Sequence, residues 1–266
     1  MSDSVTDGLL LSLFPGVGLL DRAFESAGFC VTRGPDQIWN GDICDFHPPS
    51  GAIWGIFGGS PCQDFSAARR SAPTGNGRKM LREFARVVRE AAPEWWVLEN
   101  VPAVPDVRIA GYHHQRIDVN QGWYCGVKRL RHWQFGSRSG KVLEIPRGKV
   151  IDGAESPALA HDGRTFRELC RLQGLPDSFD LPGFTVEAKK RAVGNGVPLI
   201  MGQVIAAAVR AAYGLNYLEA TSFDATMCER RRCQCGCGRV VKGKAKYDSP
   251  ACRKRQQRRR ERCHQT

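Results

Sequence analysis

Three short apolar runs, Leu9 to Phe14, Ala52 to Phe57 and Trp95 to Leu98, each end against residues suited to chemistry rather than packing. Runs of this length, bounded by glycine or polar residues, read as buried strands. Between and beyond them the period changes. Leu20, Ala23, Phe24 and Ala27 recur at i, i+3, i+4 and i+7 before Gly28, and Met80, Leu81, Phe84, Val87, Val88 and Ala91 form one apolar face opposite charges. Strands alternating with amphipathic helices predict an α/β domain with a mostly parallel sheet. Such sheets bind ligands beyond the carboxyl ends of their strands.

Each of the three strand ends has its own character. Pro15-Gly16-Val17-Gly18 turns the first strand into a helix, so backbone can approach a ligand and free N–H groups face a carboxylate or phosphate. Gly58-Gly59-Ser60-Pro61-Cys62-Gln63 presents a thiol just past the second strand, with Pro61 fixing its own φ and pushing Ser60 towards an extended conformation. Glu99-Asn100-Val101-Pro102 closes the third. Alone, a free cysteine is usually a small buried hydrophobe and a strand-end glutamate usually caps a turn. Two neighbouring strand ends that bring a thiol and a carboxyl together are a different matter.

Further along, Arg129 and Arg131 alternate in Lys128 to Gly136, which reads as a strand with both guanidinium groups on one face. Leu199 to Tyr213 reads as a long apolar helix. The net charge of +12 points to a polyanionic partner, and its source is uneven. Lys and Arg crowd the stretch from Cys228 to Arg262, and six of the eleven cysteines lie in the last 39 residues. In a chain with no apolar run near the ~20 residues of a membrane span and no basic leader, a cytoplasmic location without membrane contact is expected. Clustered cysteines there suggest metal rather than disulfides.

Several of these stretches resemble, in the same order, the motifs of the DNA cytosine-5 methyltransferases. Phe14-Pro15-Gly16-Val17-Gly18 is similar to the motif for S-adenosylmethionine, with Ser12 where the pattern has Asp. Pro61-Cys62 resembles the nucleophile motif, Glu99-Asn100-Val101 the acid motif, and Arg129-Leu130-Arg131 the arginine motif, with Val127 in its Gln position. Thr165 to Phe179 matches a Leu-Gln-Gly-x-Pro segment read as structural, and Ala192 to Pro198 the final motif. The resemblance runs from about Leu9 to Gly214.

The resemblance implies a Rossmann-like S-adenosylmethionine-dependent methyltransferase acting on C5 of cytosine in double-stranded DNA. Cys62 would attack C6, Glu99 would serve N3, and Arg129 and Arg131 would hold O2. Phe14, Gly16, Gly18, Asp36, Asp42, Ile43, Pro61 and Asn195 would line the cofactor, with Asp36 at the ribose and Asp42 at the adenine amino group. Residues 1–220 would be the catalytic domain. Family members usually insert a large target-recognition domain where this chain has only about 137–163. Residues 221–266 form a basic Cys-rich appendage that resembles a zinc knuckle, with Cys233, Cys235, Cys237 and Cys252 as ligands; the alternative is a disordered basic tail. Two other functions remain open at this level: an RNA cytosine-5 methyltransferase, and a catalytically inactive DNA-binding protein on the same fold.

Overall fold

The computed structural model describes residues 8–67, 69, 71–150, 154–161, 163–215, 249–254 and 257. The chain divides into two compact units, Met1–Asp224 and Ala225–Thr266. In the first, the elements run β1 (Leu10–Leu13), α1 (Leu19–Ser26), β2 (Val31–Arg33), β3 (Gly55–Gly59), α2 (Asn76–Ala91), β4 (Trp95–Asn100), β5 (His113–Asn120), β6 (Leu130–Ser137), α3 (Phe166–Leu172), α4 (Val186–Asn195) and α5 (Leu199–Ala212). The sheet order is β2-β1-β3-β4-β6-β5. β2, β1, β3 and β4 pair in parallel, whereas β6 runs antiparallel to both β4 and β5.

Side chains alternate across this sheet with the two-residue period of a strand. Leu10, Phe57, Trp95 and Val97 face one core with Phe24 of α1 and Met201, Ile205 and Val209 of α5. Leu11, Leu13, Ile56, Trp96 and Leu98 face a second core with Met80, Leu81, Phe84 and Val88 of α2. Phe24 stacks on Phe57 at 4.1 Å between ring centroids, and each such fully buried aromatic contributes on the order of 2–3 kcal/mol. The sheet is therefore covered on both sides where it is parallel. Helix α5 serves that cover. The stretch Val186–Ala212 is long and apolar enough in composition to cross a bilayer, but it breaks at Gly196, Val197 and Pro198, and α5 turns its apolar face into the core.

The sheet differs from expectation at its far edge. β5 has the sequence His-His-Gln-Arg-Ile-Asp-Val-Asn, where only Ile117 and Val119 are buried. Its other face meets polar groups: Gln134 of β6 accepts from Val107 N–H and donates to Pro105 O, while Arg116 donates to Pro102 O. These bonds tie the segment after β4 to the sheet. Residues after β6 rise along the other face as an extended strap. Leu143 exchanges two bonds with Gln115, Tyr124 Oη donates to Pro146 O, and Glu155 pairs its backbone with Gly126 and Lys128. Ser137 itself belongs to β6, so the short connection begins inside the sheet.

In the second unit, Ser249 Oγ accepts from Cys252 N–H, and a helical stretch starts at Pro250, a residue suited to a first helical position. Cys252 is buried there; Cys233, Cys235 and Cys237 lie outside the described residues. Among the described residues no group of three metal-ligating side chains occurs.

The β4–β6 pair sets a packing limit that can be measured. Gly136 sits opposite Trp96, and a Cβ there would lie 2.1 Å from Trp96 Nε1. Gly136→Ala should lower stability by about 1–3 kcal/mol, seen as a lower urea midpoint at unchanged slope. An unchanged midpoint would show that Trp96 is free to move aside.

Candidate active site

Parallel pairing of β3 with β4 places Gly59 opposite Glu99, so the loop that starts at Ser60 and the carboxyl of Glu99 leave the sheet side by side. Gly59 has no side chain to obstruct that carboxyl: a Cβ there would come within 3.0 Å of Glu99 Oε2. Asn100, buried at the end of β4, then fastens the loop. Its Nδ2 donates to Ser60 O at 3.0 Å and Ser60 Oγ at 2.9 Å, while its Oδ1 accepts from Val101 N–H. Pro61 stiffens the next bond, and Cys62 O accepts from Phe65 N–H to close a turn. The thiol is held by backbone geometry.

Arg131 Nε meets Glu99 Oε1 at 2.9 Å, with both side chains largely withdrawn from solvent. Burial pushes the Glu99 carboxyl above its ordinary range, against the pull of Arg131 and Arg129. Burial, then the charge of Glu99, pushes the Cys62 thiol up as well, again opposed by Arg131. One negative charge at this pair is easier to hold than two. A proton on Glu99 favours the thiolate, and a thiolate favours the proton on Glu99.

Arg129 and Arg131, expected on one face, have different partners, though the charge of both acts on Glu99 and Cys62. Arg129 lies before β6 begins and is 4% exposed. Its guanidinium donates to Ala158 O, Gly194 O (3.0 Å) and Gly196 O (3.3 Å). It is a brace between the strap and the turn around Asn195, adjacent to the cavity rather than part of its lining. Gln173 works beside it, with Nε2 donating to Val193 O and Gly196 O. The Leu-Gln-Gly segment thus holds the Asn195 turn from below.

A cavity of about 260 Å³ joins these groups to the glycine turn. Cys62, Pro61, Glu99 and Arg131 line it together with Phe14, Gly16, Asp36, Asp42, Ile43 and Asn195. Gly18 does not line it; this residue precedes α1 with φ of 76°, and a Cβ there would strike Arg33. Asp36 accepts from Gly16 N–H (2.9 Å) and Ile38 N–H (2.8 Å), one on each oxygen, so each oxygen keeps a lone pair for a hydroxyl. Asp42 accepts from Cys44 N–H, which holds its carboxyl below the usual range. Arg86 of α2 donates to Ile43 O (2.6 Å) and Phe46 O (3.1 Å), fixing that loop from behind.

Sequence periodicity alone does not mark Met80, Val101, Ala192, Val197 or Ser12 as cavity residues, yet all of them line it. Met80 faces the α2 core and the cavity at once, so its helical spacing carries only the first role. Beyond Cys62, Asp64 accepts from Thr74 N–H (2.8 Å), Thr74 Oγ1 (3.1 Å) and Gly77 N–H (2.7 Å). The loop between them is closed at its base.

The charges around the sulfur set its reactivity. Alkylation of Cys62 by iodoacetamide, followed by mass spectrometry, should rise with pH through a midpoint above that of an ordinary thiol, ~8.5. Arg131→Gln should move the midpoint further up and Glu99→Gln should bring it down. A wild-type midpoint below the ordinary value would contradict this electrostatic reading.

The sequence pattern of the C-5 cytosine-specific DNA methylases matches residues 36–109, which include Asp36, Asp42, Cys62 and Glu99. The type II methyltransferase M.AquIA of Picosynechococcus is 33% identical over 187 residues, a match covering 52% of this chain and 75% of that protein. M.HgiDI of Herpetosiphon aurantiacus is 33% identical over 171 residues, covering 51% and 54% respectively. The chain thus spans three quarters of one relative and about half of the other. Among solved structures, Entamoeba histolytica methyltransferase EhMeth aligns over 77% of this chain and 98% of its own with a TM-score of 0.57 at 13% identity. A Spodoptera frugiperda DNMT2 variant aligns over 77% and 99%, also with a TM-score of 0.57, at 11% identity. At such identities the structures speak for the fold, and the sequence relatives carry the assignment: this chain belongs to the C-5 cytosine-specific DNA methylase family.

Proposed function

We propose that the protein transfers a methyl group from S-adenosylmethionine to C5 of cytosine in DNA. The observation that carries this reading is the shared cavity in which Cys62, Glu99 and Arg131 stand beside the glycine turn, Asp36 and Asp42. The lining suits that cofactor: lone pairs on Asp36 for ribose hydroxyls, Asp42 for an amino group, and Phe14 and Ile43 as apolar walls, with Gly16 held beside Asp36 by its N–H. When bound, S-adenosylmethionine supplies an electrophilic methyl group at the activated carbon.

Cytosine C5 is too weak a nucleophile to be methylated directly. The Cys62 sulfur adds to C6 while Glu99 gives a proton to N3, which leaves an enamine whose electron pair is available at C5. After methylation, loss of the C5 proton to a base restores the double bond and expels the Cys62 sulfur, and N3 returns its proton to Glu99. Arg131, already paired with Glu99, is placed to donate to the base's O2 and to hold the acid in position. Arg129 acts at one remove, by keeping the Asn195 turn in place. The target base must leave the duplex to enter this cavity.

DNA containing 5-fluorocytosine offers no C5 proton to lose, so it should trap the wild-type protein in a complex that survives denaturing electrophoresis. Cys62→Ser should form none, and Glu99→Gln should turn over unmodified DNA at least ~100-fold more slowly while still binding S-adenosylhomocysteine. Wild-type rates from Cys62→Ser would refute the covalent route. Comparing methyl incorporation into DNA and transfer RNA tests the choice of nucleic acid.

Double-stranded DNA is the partner we assign to the basic region beyond Cys228. The connection after β6 is short and is tied down through its backbone at Leu143, Pro146 and Glu155, so although Lys141, Glu144, Arg147 and Lys149 are exposed it can carry few side chains into a groove. Lysines and arginines that neutralise phosphates add affinity without sequence preference. Removing residues after Thr221 should weaken DNA binding about equally on all sequences and reduce the salt slope by ~0.9 for each phosphate that is no longer neutralised. An unchanged slope with altered choice of cytosine would instead make that region a reader of bases.

A further inference from the structure

Ser12 stands at the carboxyl end of β1 and lines the cavity, yet it is only 1% exposed. Its hydroxyl donates to Asp21 Oδ1 at 2.5 Å. Asp21, in the first turn of α1, is fully buried and takes a second bond on Oδ2 from Arg33 Nε at 2.7 Å. Burial pushes the Asp21 carboxyl up, and the bonds from Ser12 and Arg33 oppose that push. Asp21 does not itself line the cavity. Its route to a ligand runs through Ser12.

A serine hydroxyl has one hydrogen and two lone pairs. With the hydrogen committed to Asp21, Ser12 can only accept from a ligand, and donation to a carboxylate makes its oxygen a stronger acceptor. The ligand group that meets it must therefore be a donor. On the cofactor assigned above, the donors are the adenine amino group, the ribose hydroxyls and the α-ammonium. The first two have acceptors in Asp42 and Asp36, which leaves the ammonium for the β1 end. In strand register Leu13 lies opposite Gly58, one strand from the loop that carries Cys62, so Ser12 sits on the side of the cavity towards the reacting end.

We infer that Ser12, polarised by the buried Asp21 and its exposed partner Arg33, is the acceptor for the α-ammonium of the cofactor's amino-acid end. Anionic character reaches the cavity from α1 through a hydroxyl, in place of a carboxylate on β1. The inference rests on the cavity being the S-adenosylmethionine site.

The test compares two ligands by titration calorimetry: S-adenosylhomocysteine, which has the ammonium, and 5′-methylthioadenosine, which lacks the whole amino-acid end. Ser12→Ala should weaken the first by about tenfold or more, the range for a hydrogen bond to a charged group, and leave the second within about twofold. Asp21→Asn should do the same, because its amide can donate to Ser12 and turn the hydroxyl's hydrogen towards the ligand. Unchanged 5′-methylthioadenosine affinity also reports an intact fold; if Asp21→Asn does not fold, Ser12→Ala decides. Equal losses on both ligands, or no loss on either, would overturn the inference by making the pair a support of the glycine turn alone. If wild type binds neither ligand, the cofactor reading itself falls.

Discussion

The site depends on one backbone register, the parallel pairing that sets Gly59 against Glu99. Slide β4 by one residue and the glutamate turns to the opposite face, because alternate residues of a strand point to opposite sides of a sheet. Trp95 with Val97 on one side and Trp96 with Leu98 on the other prevent that slip, since each pair is buried in its own core. Apolar packing far from the cavity therefore decides which acid stands beside the sulfur. Asn100, the next residue along, converts the same register into a fixed position for the Ser60 loop.

The electrostatic arrangement trades stability for reactivity. A carboxyl and a thiol are both withdrawn from water, both pushed towards their protonated forms, and both near the guanidinium groups of Arg131 and Arg129, which favour their anions. Neither group is settled in its resting state, which is the condition for exchanging charge with a substrate at little cost. Arg131 and Arg129 illustrate how residue type underdetermines role. They are two positions apart, yet one faces a carboxylate and the other donates from its two terminal nitrogens to three backbone carbonyls.

Much of this is legible in the sequence because the parallel strands are apolar on both faces and end at residues of distinctive chemistry. The thiol, the acid, the glycine turn and the two acids after it all fall at strand ends or just beyond them, and the structure places them on one cavity. β5 is not legible. On its outer face His114 bonds Gln134 and Arg116 bonds the segment after β4, so it carries polar residues that no hydrophobic period can report. The strand period places Arg129 beside β6 but says nothing of the carbonyls its guanidinium meets. Ser12 looks like a lost carboxylate, and the bond that gives it meaning spans nine residues into the next helix.

Asp64 gives the loop beyond Cys62 the topology of a ring. Its carboxylate gathers Thr74 and Gly77, so the intervening residues start and finish at nearly the same point, two positions from the sulfur. Closing a chain segment has an entropic cost that grows with its length, and here that cost is met when the protein folds. Cys62 therefore stands outside the closed segment, two positions before the carboxylate that closes it.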